Sequence, residues 1–260
     1  MAVAMNATWE PGQYLKFADA RMQPALDLLA RISMDNPRRI YDLGCGTGNV
    51  TQLLRRRWPM AAISGIDNSA SMLAQAARDA PDLGWIRQEL ATWQPDDAAD
   101  LIFSNATLHW LPRHEDLLPR LVSFLAPGGV LAIQMPRNFS APSHALIAET
   151  VLAGRWRERL EPLLRPVPVS EPSCYFRLLE PLVAEVSVWE TEYLHVLQGA
   201  DPVKEWVKGT WLKPLLDALD AADRGDFEAE YARRLRAAYP ALPGGVTLFP
   251  FKRLFLTARR

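Results

Sequence analysis

The run Asp42-Leu43-Gly44-Cys45-Gly46-Thr47-Gly48-Asn49 constrains this chain more than any other segment. It follows residues 38–41, an apolar segment flanked by two arginines that predicts a strand, and it precedes residues 50–57, whose apolar stripe and basic last turn predict a helix. Glycine permits a sharp turn, and its missing Cβ lets a ligand approach the backbone. Strand, glycine turn and helix in this order predict a site for a nucleotide-type cofactor.

The spacing of the glycines narrows the choice of cofactor. A dinucleotide site requires Gly-x-Gly-x-x-Gly, but here Asn49 takes the place of the third glycine. Asp42 precedes the turn, and an anionic side chain there is unfavourable beside a pyrophosphate but favourable beside an ammonium or a sulfonium. The run resembles the first motif of the class I S-adenosylmethionine-dependent methyltransferases. That resemblance implies S-adenosyl-L-methionine as the cofactor.

Strand and helix patterns alternate from Ile40 to about Met135, which predicts an α/β fold with a parallel sheet covered by helices on both faces. Further predicted strands cover residues 61–66, 83–88, 100–104 and 129–135, and predicted helices cover residues 69–78 and 115–124. The resemblance implies a Rossmann-like class I methyltransferase fold. Such a fold has a mostly parallel seven-stranded sheet and, here, a helical substrate cap.

The alternation stops after the fifth strand. Residues 136–185 are rich in proline, arginine and aromatic residues, and we interpret them as a cap inserted into a single methyltransferase domain that covers residues 1–260. A strand is predicted at residues 186–193, an additional helical segment at residues 200–240, and a last strand at residues 246–257.

Ligands of open α/β sheets bind at the carboxyl ends of the strands, so the residues there are the candidates for the cofactor site. Asp67 ends the second strand, where a carboxylate can accept hydrogen bonds from ribose hydroxyls. The alternative role for Asp67 is as the N-cap of the next helix, for which Asn68 and Ser69 are better placed.

The methyltransferase resemblance assigns the remaining cofactor contacts. It implies that Glu89 meets the adenine amino group, that the amide of Leu90 meets a ring nitrogen, and that the segment of residues 104–106 meets the amino-acid part. Met72 can pack on the adenine or belong to the core. The predicted cofactor-binding residues are Asp42, Gly44, Cys45, Gly46, Asn49, Asp67, Asn68, Met72, Glu89, Leu90, Asn105 and Ala106.

A closer resemblance lies outside the cofactor motifs. Residues 9–17, 105–112, 134–138 and 251–260 are similar to the corresponding segments of trans-aconitate 2-methyltransferases. The resemblance implies that a carboxylate of a small polyanionic acid, a tricarboxylate such as trans-aconitate, is converted to its monomethyl ester. The chain departs from that family at Arg137, where we expect an acid, and at His109, where we expect glutamine.

A carboxylate acceptor needs little from the enzyme apart from alignment and fixed positive charge. It is ionised at neutral pH, so no general base is required, and arginine binds it bidentately. We therefore predict no catalytic residue, and His109 would be a base only for a hydroxyl substrate. Arg253 has an alternative interpretation as a surface charge, and Arg21 as a solvated helix residue. The predicted substrate-binding residues are Tyr14, Phe17, Arg21, His109, Trp110, Tyr175 and Arg253.

Composition excludes several other classes of protein. Lys and Arg number 29 against 30 Asp and Glu, so no global charge attracts nucleic acid or an anionic membrane. The two cysteines lie far apart, and we expect neither disulfides nor a metal site. There is no leader pattern and no apolar stretch of transmembrane length. We expect a cytoplasmic protein, and a monomer is compatible with the sequence.

Several alternatives remain open from the sequence alone. A related methyltransferase could act on another carboxylate, such as a malonyl thioester, or on a small hydroxylated ring. An NAD-dependent oxidoreductase is a different class, and Asn49 in the glycine turn argues against it. A non-catalytic regulator that binds S-adenosylmethionine is another, and turnover with labelled cofactor would distinguish it from an enzyme.

Overall fold

A seven-stranded sheet organises the chain. In a computed structural model, which describes residues 18–260 and side chains from residue 22 onward, the strand order is β3-β2-β1-β4-β5-β7-β6. Neighbouring strands from β1 to β5 pair in parallel, and β7 is antiparallel to β5, which confirms the predicted mostly parallel sheet. The strands are β1 (Arg39–Leu43), β2 (Ala62–Asp67), β3 (Gly84–Arg87), β4 (Ala99–Asn105), β5 (Leu125–Pro136), β6 (Glu185–Gln198) and β7 (Val246–Arg259).

The helices connect these strands and extend the chain beyond β5. They are α1 (Ala18–Ala30), α2 (Asn49–Arg57), α3 (Ala70–Asp79), α4 (His114–Ser123), α5 (Pro142–Ala153), α6 (Arg157–Leu160), α7 (Pro172–Leu179), α8 (Pro202–Lys208), α9 (Lys213–Asp217) and α10 (Ala221–Ala238), with short 3₁₀ turns at Leu108–Trp110, Glu161–Leu163 and Glu180–Leu182. The predicted helical segment at residues 200–240 consists of α8, α9 and α10. For helix α1 the sequence indicated only that Arg21 could be a helix residue, and the helix contains Pro24 in its interior.

The described chain forms two compact units. The sheet unit comprises residues 22–136, 168–191 and 253–260. Its central strands are apolar on both faces, as expected for parallel strands with helices on either side, and Ile40 and Phe103 are completely buried. The carboxyl end of β1 lies beside that of β4, where the strand order reverses direction. Such a switch point opens a crevice for a ligand.

The helical unit comprises residues 137–167 and 192–252. Its core is built around large side chains, among them Trp206, Phe227 and Phe249. The Tyr231 hydroxyl donates a hydrogen bond of 2.5 Å to the carbonyl of Ser143, which joins α10 to α5. Residues 168–191 cluster with the sheet, although the proposed cap insertion extends from residue 136 to 185. The division into one domain with an insertion stays a prediction.

Candidate active site

The glycine turn after β1 has the backbone conformation that the sequence predicts. Gly44, Gly46 and Gly48 have φ values of 75°, 55° and 80°, which lie in the left-handed region that favours glycine. A Cβ on Gly44 would come within 2.1 Å of the Thr107 side chain, and one on Gly48 within 2.4 Å of Trp85. A Cβ on Gly46 would meet nothing within 4 Å. Two of the glycines thus allow close packing, and Gly46 borders open space where a ligand can approach.

Asp42 lies at the end of β1 and is almost completely buried. Burial raises the pKa of its carboxyl group to about 7, the hydrogen bond from Thr51 lowers that pKa, and the charge of Asp67 raises it. The Thr51 hydroxyl donates to Asp42 Oδ2 over 2.7 Å. A cation bound nearby would favour the ionised form. The site therefore suits a ligand that carries a sulfonium and an ammonium group.

Asp67 fixes the shape of the site from the end of β2. Its Oδ2 accepts a hydrogen bond of 3.0 Å from the amide of Gly46, and its Oδ1 accepts one of 2.9 Å from the amide of Ser69. The carboxylate thus joins the glycine turn to the start of α3. Each oxygen keeps a lone pair for a ribose hydroxyl. The N-cap of α3 is Ser69, whose hydroxyl accepts from the amide of Met72, so the capping alternative for Asp67 is wrong.

The ends of β2 and β3 also meet. The side-chain amide of Asn68 donates to Glu89 Oε1 over 3.2 Å, and both residues are exposed, so they are accessible to a ligand. Leu90 is buried, and its carbonyl accepts a hydrogen bond of 3.0 Å from Arg120. Met72 is half-buried in the first turn of α3, so its two interpretations stay open.

The remaining predicted cofactor residues surround the crevice between β1 and β4. Asn49 is exposed at the start of α2. Cys45 is buried, and burial together with the charges of Asp42 and Asp67 raises the pKa of its thiol. Asn105 is the last residue of β4, Ala106 follows it, and both are half-buried. The structure thus brings the predicted cofactor residues to one edge of the sheet.

Three predicted substrate residues lie at the start of the chain. Tyr14 and Phe17 lie outside the described residues, and Arg21 belongs to α1 but lies before the first described side chain. Their contact with substrate stays a prediction.

His109 and Arg253 are both buried in the sheet unit, with exposed fractions of 6% and 5%. The His109 ring lies 4.6 Å from that of Trp110, in the 3₁₀ turn that follows β4. Arg253 lies in β7 opposite Pro136, at the same end of the sheet as the cofactor residues. The interpretation of Arg253 as a surface charge is wrong, and a buried guanidinium is suited to bind a carboxylate.

Tyr175 is also buried, and its hydroxyl has protein partners. His114 Nε2 lies 2.9 Å from the carbonyl of Leu108, so Nε2 carries the proton and Nδ1 accepts from the Tyr175 hydroxyl over 2.7 Å. The same hydroxyl accepts from the amide of Ser170 over 3.1 Å. The hydroxyl of Tyr175 is thus engaged with His114 and Ser170. Its contact with substrate stays a prediction.

Sequence reasoning missed two polar residues at this edge. Thr51, the partner of Asp42, and Gln134, near the end of β5, are both completely buried. Each interrupts an otherwise apolar pattern, Thr51 on the inner face of α2 and Gln134 in the run from Val130 to Met135. A polar residue at a position that the pattern assigns to the core is the signal that could have identified them.

A sheet with this strand order, a glycine turn after β1 and acids after β2 and β3 defines a Rossmann-like methyltransferase fold. The model of a methyltransferase domain matches residues 40–129. The solved YcgJ protein from Bacillus subtilis is 14% identical, with a TM-score of 0.59 over 90% of this chain and 96% of that one. Phosphoethanolamine N-methyltransferase 2 from Haemonchus contortus, solved with S-adenosyl-L-methionine, is 15% identical, with a TM-score of 0.54 over 91% of this chain and 52% of that one.

Much closer relatives are similar over nearly the whole length. Trans-aconitate 2-methyltransferase from Streptomyces avermitilis is 51% identical, with 97% of each chain covered. The enzyme of that name from Azoarcus sp. is 46% identical, over 97% of this chain and 99% of that one. The chain belongs to the trans-aconitate 2-methyltransferase family, whose members are S-adenosylmethionine-dependent methyltransferases. This confirms both resemblances drawn from the sequence.

Residues 18–260 contain no group of three or more His, Cys, Asp or Glu side chains placed to hold a metal ion. In the same range, no helix combines the length and the apolar character needed to span a bilayer.

Proposed function

We propose that this protein transfers a methyl group from S-adenosylmethionine to a carboxylate of trans-aconitate and so forms a monomethyl ester. The proposal is supported by family membership over nearly the full chain. The structural observation that carries it is the buried Arg253 at the carboxyl edge of the sheet, where the cofactor residues also gather.

The residues around the crevice between β1 and β4, which we call the cofactor crevice, fit the cofactor by their chemistry. When bound, S-adenosylmethionine supplies a methyl group whose bond to a cationic sulfur breaks as a bond to the acceptor oxygen forms. The glycine turn leaves space over Gly46, Asp67 offers lone pairs to ribose hydroxyls, and Asp42 places negative charge beneath the site. We assign the adenine end to Met72, Glu89 and Leu90.

The acceptor side requires charge and alignment more than proton transfer. The carboxylate is ionised at neutral pH, so no residue has to remove a proton. A guanidinium in a fixed position can hold it in line with the methyl group, and positioning of this kind can supply roughly 7–11 kcal/mol of the barrier. In this mechanism Arg253 binds the acid, and His109 and Trp110 exclude water from it.

We also propose that the acceptor is a free small molecule. The formal net charge of −1 provides no field for nucleic acid or for a membrane surface. The protein acts as a monomer in the cytoplasm. The reaction needs no metal ion. Activity should therefore persist in excess chelator.

Turnover tests the proposal directly. Purified protein is incubated with methyl-labelled S-adenosylmethionine and, separately, with trans-aconitate, a malonyl thioester and a catechol. We expect label in the monomethyl ester of trans-aconitate and at least about tenfold less in the other products, since each lost charged contact costs more than 1.4 kcal/mol. Preferred labelling of the thioester or the catechol would assign one of the alternative acceptors. Binding of the cofactor without any turnover would instead indicate a regulator.

A further inference from the structure

Gln134 has an unusual environment for a polar residue. It lies near the carboxyl end of β5 with 0% exposure, and its Nε2 and Oε1 have no hydrogen-bond partner within the described part of the chain. Oδ1 of Asn105 is also buried and has no hydrogen-bond partner among the described residues. A buried amide that bonds to nothing destabilises the fold, so such a residue calls for an explanation.

The register of the strands places these amides next to each other. Asn105 pairs with Gln134 between β4 and β5. Gln134 in turn lies opposite Phe255, and Pro136 lies opposite Arg253, so Arg253 is the diagonal neighbour of Gln134 across β5 and β7. Paired residues, and residues two apart, project from the same face of a sheet. Asn105, Gln134 and Arg253 therefore form one row on this face, which we call the polar row.

The polar row starts at the cofactor crevice. Asn105 is half-buried at the end of β4, next to the strand that carries the glycine turn, and Arg253 is the buried cation at the other end of the row. Gln134 lies between them. Neighbouring strands are about 4.8 Å apart and diagonal neighbours about 7–8 Å, so extended side chains can meet a ligand, or one another, along the row.

We propose that Gln134 binds the methyl-accepting carboxylate and couples its binding to that of the cofactor. Nε2–H of Gln134 donates to the oxygen of the carboxylate that does not react, while Arg253 carries the opposing charge. Asn105 turns its Nδ2–H toward Gln134 Oε1, which leaves Asn105 Oδ1 for the ammonium group of the cofactor. One chain of hydrogen bonds then satisfies the three unpartnered atoms, and the carboxylate is oriented for attack. This inference rests on the proposed function.

The test compares wild type with Gln134→Met, a substitution that keeps the volume and removes both polar atoms. We expect the melting temperature without ligand to stay equal or to rise, because no buried polar atom is left unpaired. The affinity of the variant for S-adenosylhomocysteine should lie within about threefold of wild type. Trans-aconitate should bind to the complex of the variant with S-adenosylhomocysteine at least about tenfold more weakly, since a hydrogen bond to a charged group is lost. Calorimetry measures both affinities without turnover.

Ser104→Ala is the matched control for stability. Ser104 is also completely buried, in β4 next to Asn105, but its hydroxyl donates to the carbonyl of Leu43 over 2.9 Å. Its loss should lower the melting temperature. A similar fall in Gln134→Met, with trans-aconitate affinity unchanged, would show that Gln134 is structural and would overturn the inference. Equal weakening of both ligands would also overturn it, because Gln134 would then serve the cofactor.

Gln134→Glu adds a test of charge at the same volume. A carboxylate beside the acceptor carboxylate should repel it, so we expect weaker binding of trans-aconitate than in Gln134→Met, and affinity at or above wild type would contradict the proposed contact. Failure of the proposed function itself is visible before any variant is made, because the wild-type complex with S-adenosylhomocysteine would then bind no trans-aconitate.

Discussion

The cofactor crevice and the polar row lie at the same edge of one sheet, but they differ in how their polar groups are satisfied. In the crevice, Asp42 accepts from Thr51, and Asp67 accepts from two backbone amides. In the polar row, Gln134 and Oδ1 of Asn105 have no partner among the described residues. The first region is complete without a ligand, and the second is completed by one.

This difference assigns separate tasks to the two regions. A region held by its own hydrogen bonds binds its ligand with little rearrangement, which favours binding of the cofactor first. In a region with unpaired buried polar groups, ligand binding releases more free energy, because the ligand supplies the missing hydrogen bonds and so removes the cost of leaving those groups unpaired. The acceptor should therefore bind well only after the cofactor is in place. Changes at Gln134 and Arg253 should affect binding of the acid, and changes in the crevice should affect binding of the cofactor.

The largest effect is expected at the cationic end of the polar row. Arg253→Met keeps the apolar stem and removes the charge, so kcat/KM for trans-aconitate should fall by roughly tenfold to a thousandfold at about 1.4 kcal/mol per decade. Cofactor affinity should change little. The control is Lys252→Ala, which removes an exposed neighbouring charge and should leave kcat/KM near wild type. Full activity of Arg253→Met would remove this residue from the acceptor site.

A smaller effect is expected in the crevice. Asp67→Ala removes the acceptor of the Gly46 and Ser69 amides together with the ribose contact. Binding of S-adenosylhomocysteine should weaken by on the order of 1–3 kcal/mol, which is typical for hydrogen bonds to a charged group. Calorimetry measures it, with Asp79→Ala, an exposed acid at the end of α3, as the control. Equal affinities of the two variants would show that Asp67 does not contact the cofactor.

Asp42 should produce a pH dependence that is confined to the crevice. Its pKa is about 7 in the folded chain, against about 4 for an unfolded Asp. The folded state binds this proton more tightly, so the stability of the ligand-free protein should decrease as the pH rises from about 4 to about 7, and stay level above that. Asp42→Asn should remove this part of the pH dependence in thermal melts.

The same ionisation should affect the cationic cofactor in the opposite sense. Below pH 7 a proton competes with the cofactor for Asp42. The affinity for the cofactor should therefore fall as the pH decreases, with a slope that approaches about tenfold per pH unit. At saturating ligands kcat should stay flat, because the acceptor carboxylate is ionised throughout. A steep rise of kcat near neutrality would instead make His109 a general base for a hydroxyl acceptor.

The crevice was predictable from the sequence, and the polar row was not. Gly44, Gly46, Asp42 and Asp67 are adjacent to strand ends, and local rules relate such positions to a ligand site. Gln134 has no local signal apart from interrupting an apolar run. Its neighbours Asn105 and Arg253 are about 30 and 120 residues away along the chain, and only the register of β4, β5 and β7 brings them together.

The same limit explains the other differences between prediction and structure. Arg253 is buried because β7 lies between β5 and β6 in the sheet. The sequence of this last strand of the chain does not reveal that burial. The hydroxyl of Tyr175 has His114 as a partner 61 residues away, a contact that spacing cannot predict. Local chemistry thus predicted the cofactor residues, whereas the proposed acceptor residues come together only through tertiary structure.

A crystal structure of the protein with S-adenosylhomocysteine and trans-aconitate tests the central claim most directly. We predict one carboxylate of the acid within about 3.2 Å of Gln134 Nε2 and of the Arg253 guanidinium, with Asn105 Nδ2 donating to Gln134 Oε1. The crevice around Asp42 and Asp67 should keep the hydrogen bonds that it has without ligand. An acid bound away from the polar row, with Gln134 still unpaired, would contradict the account.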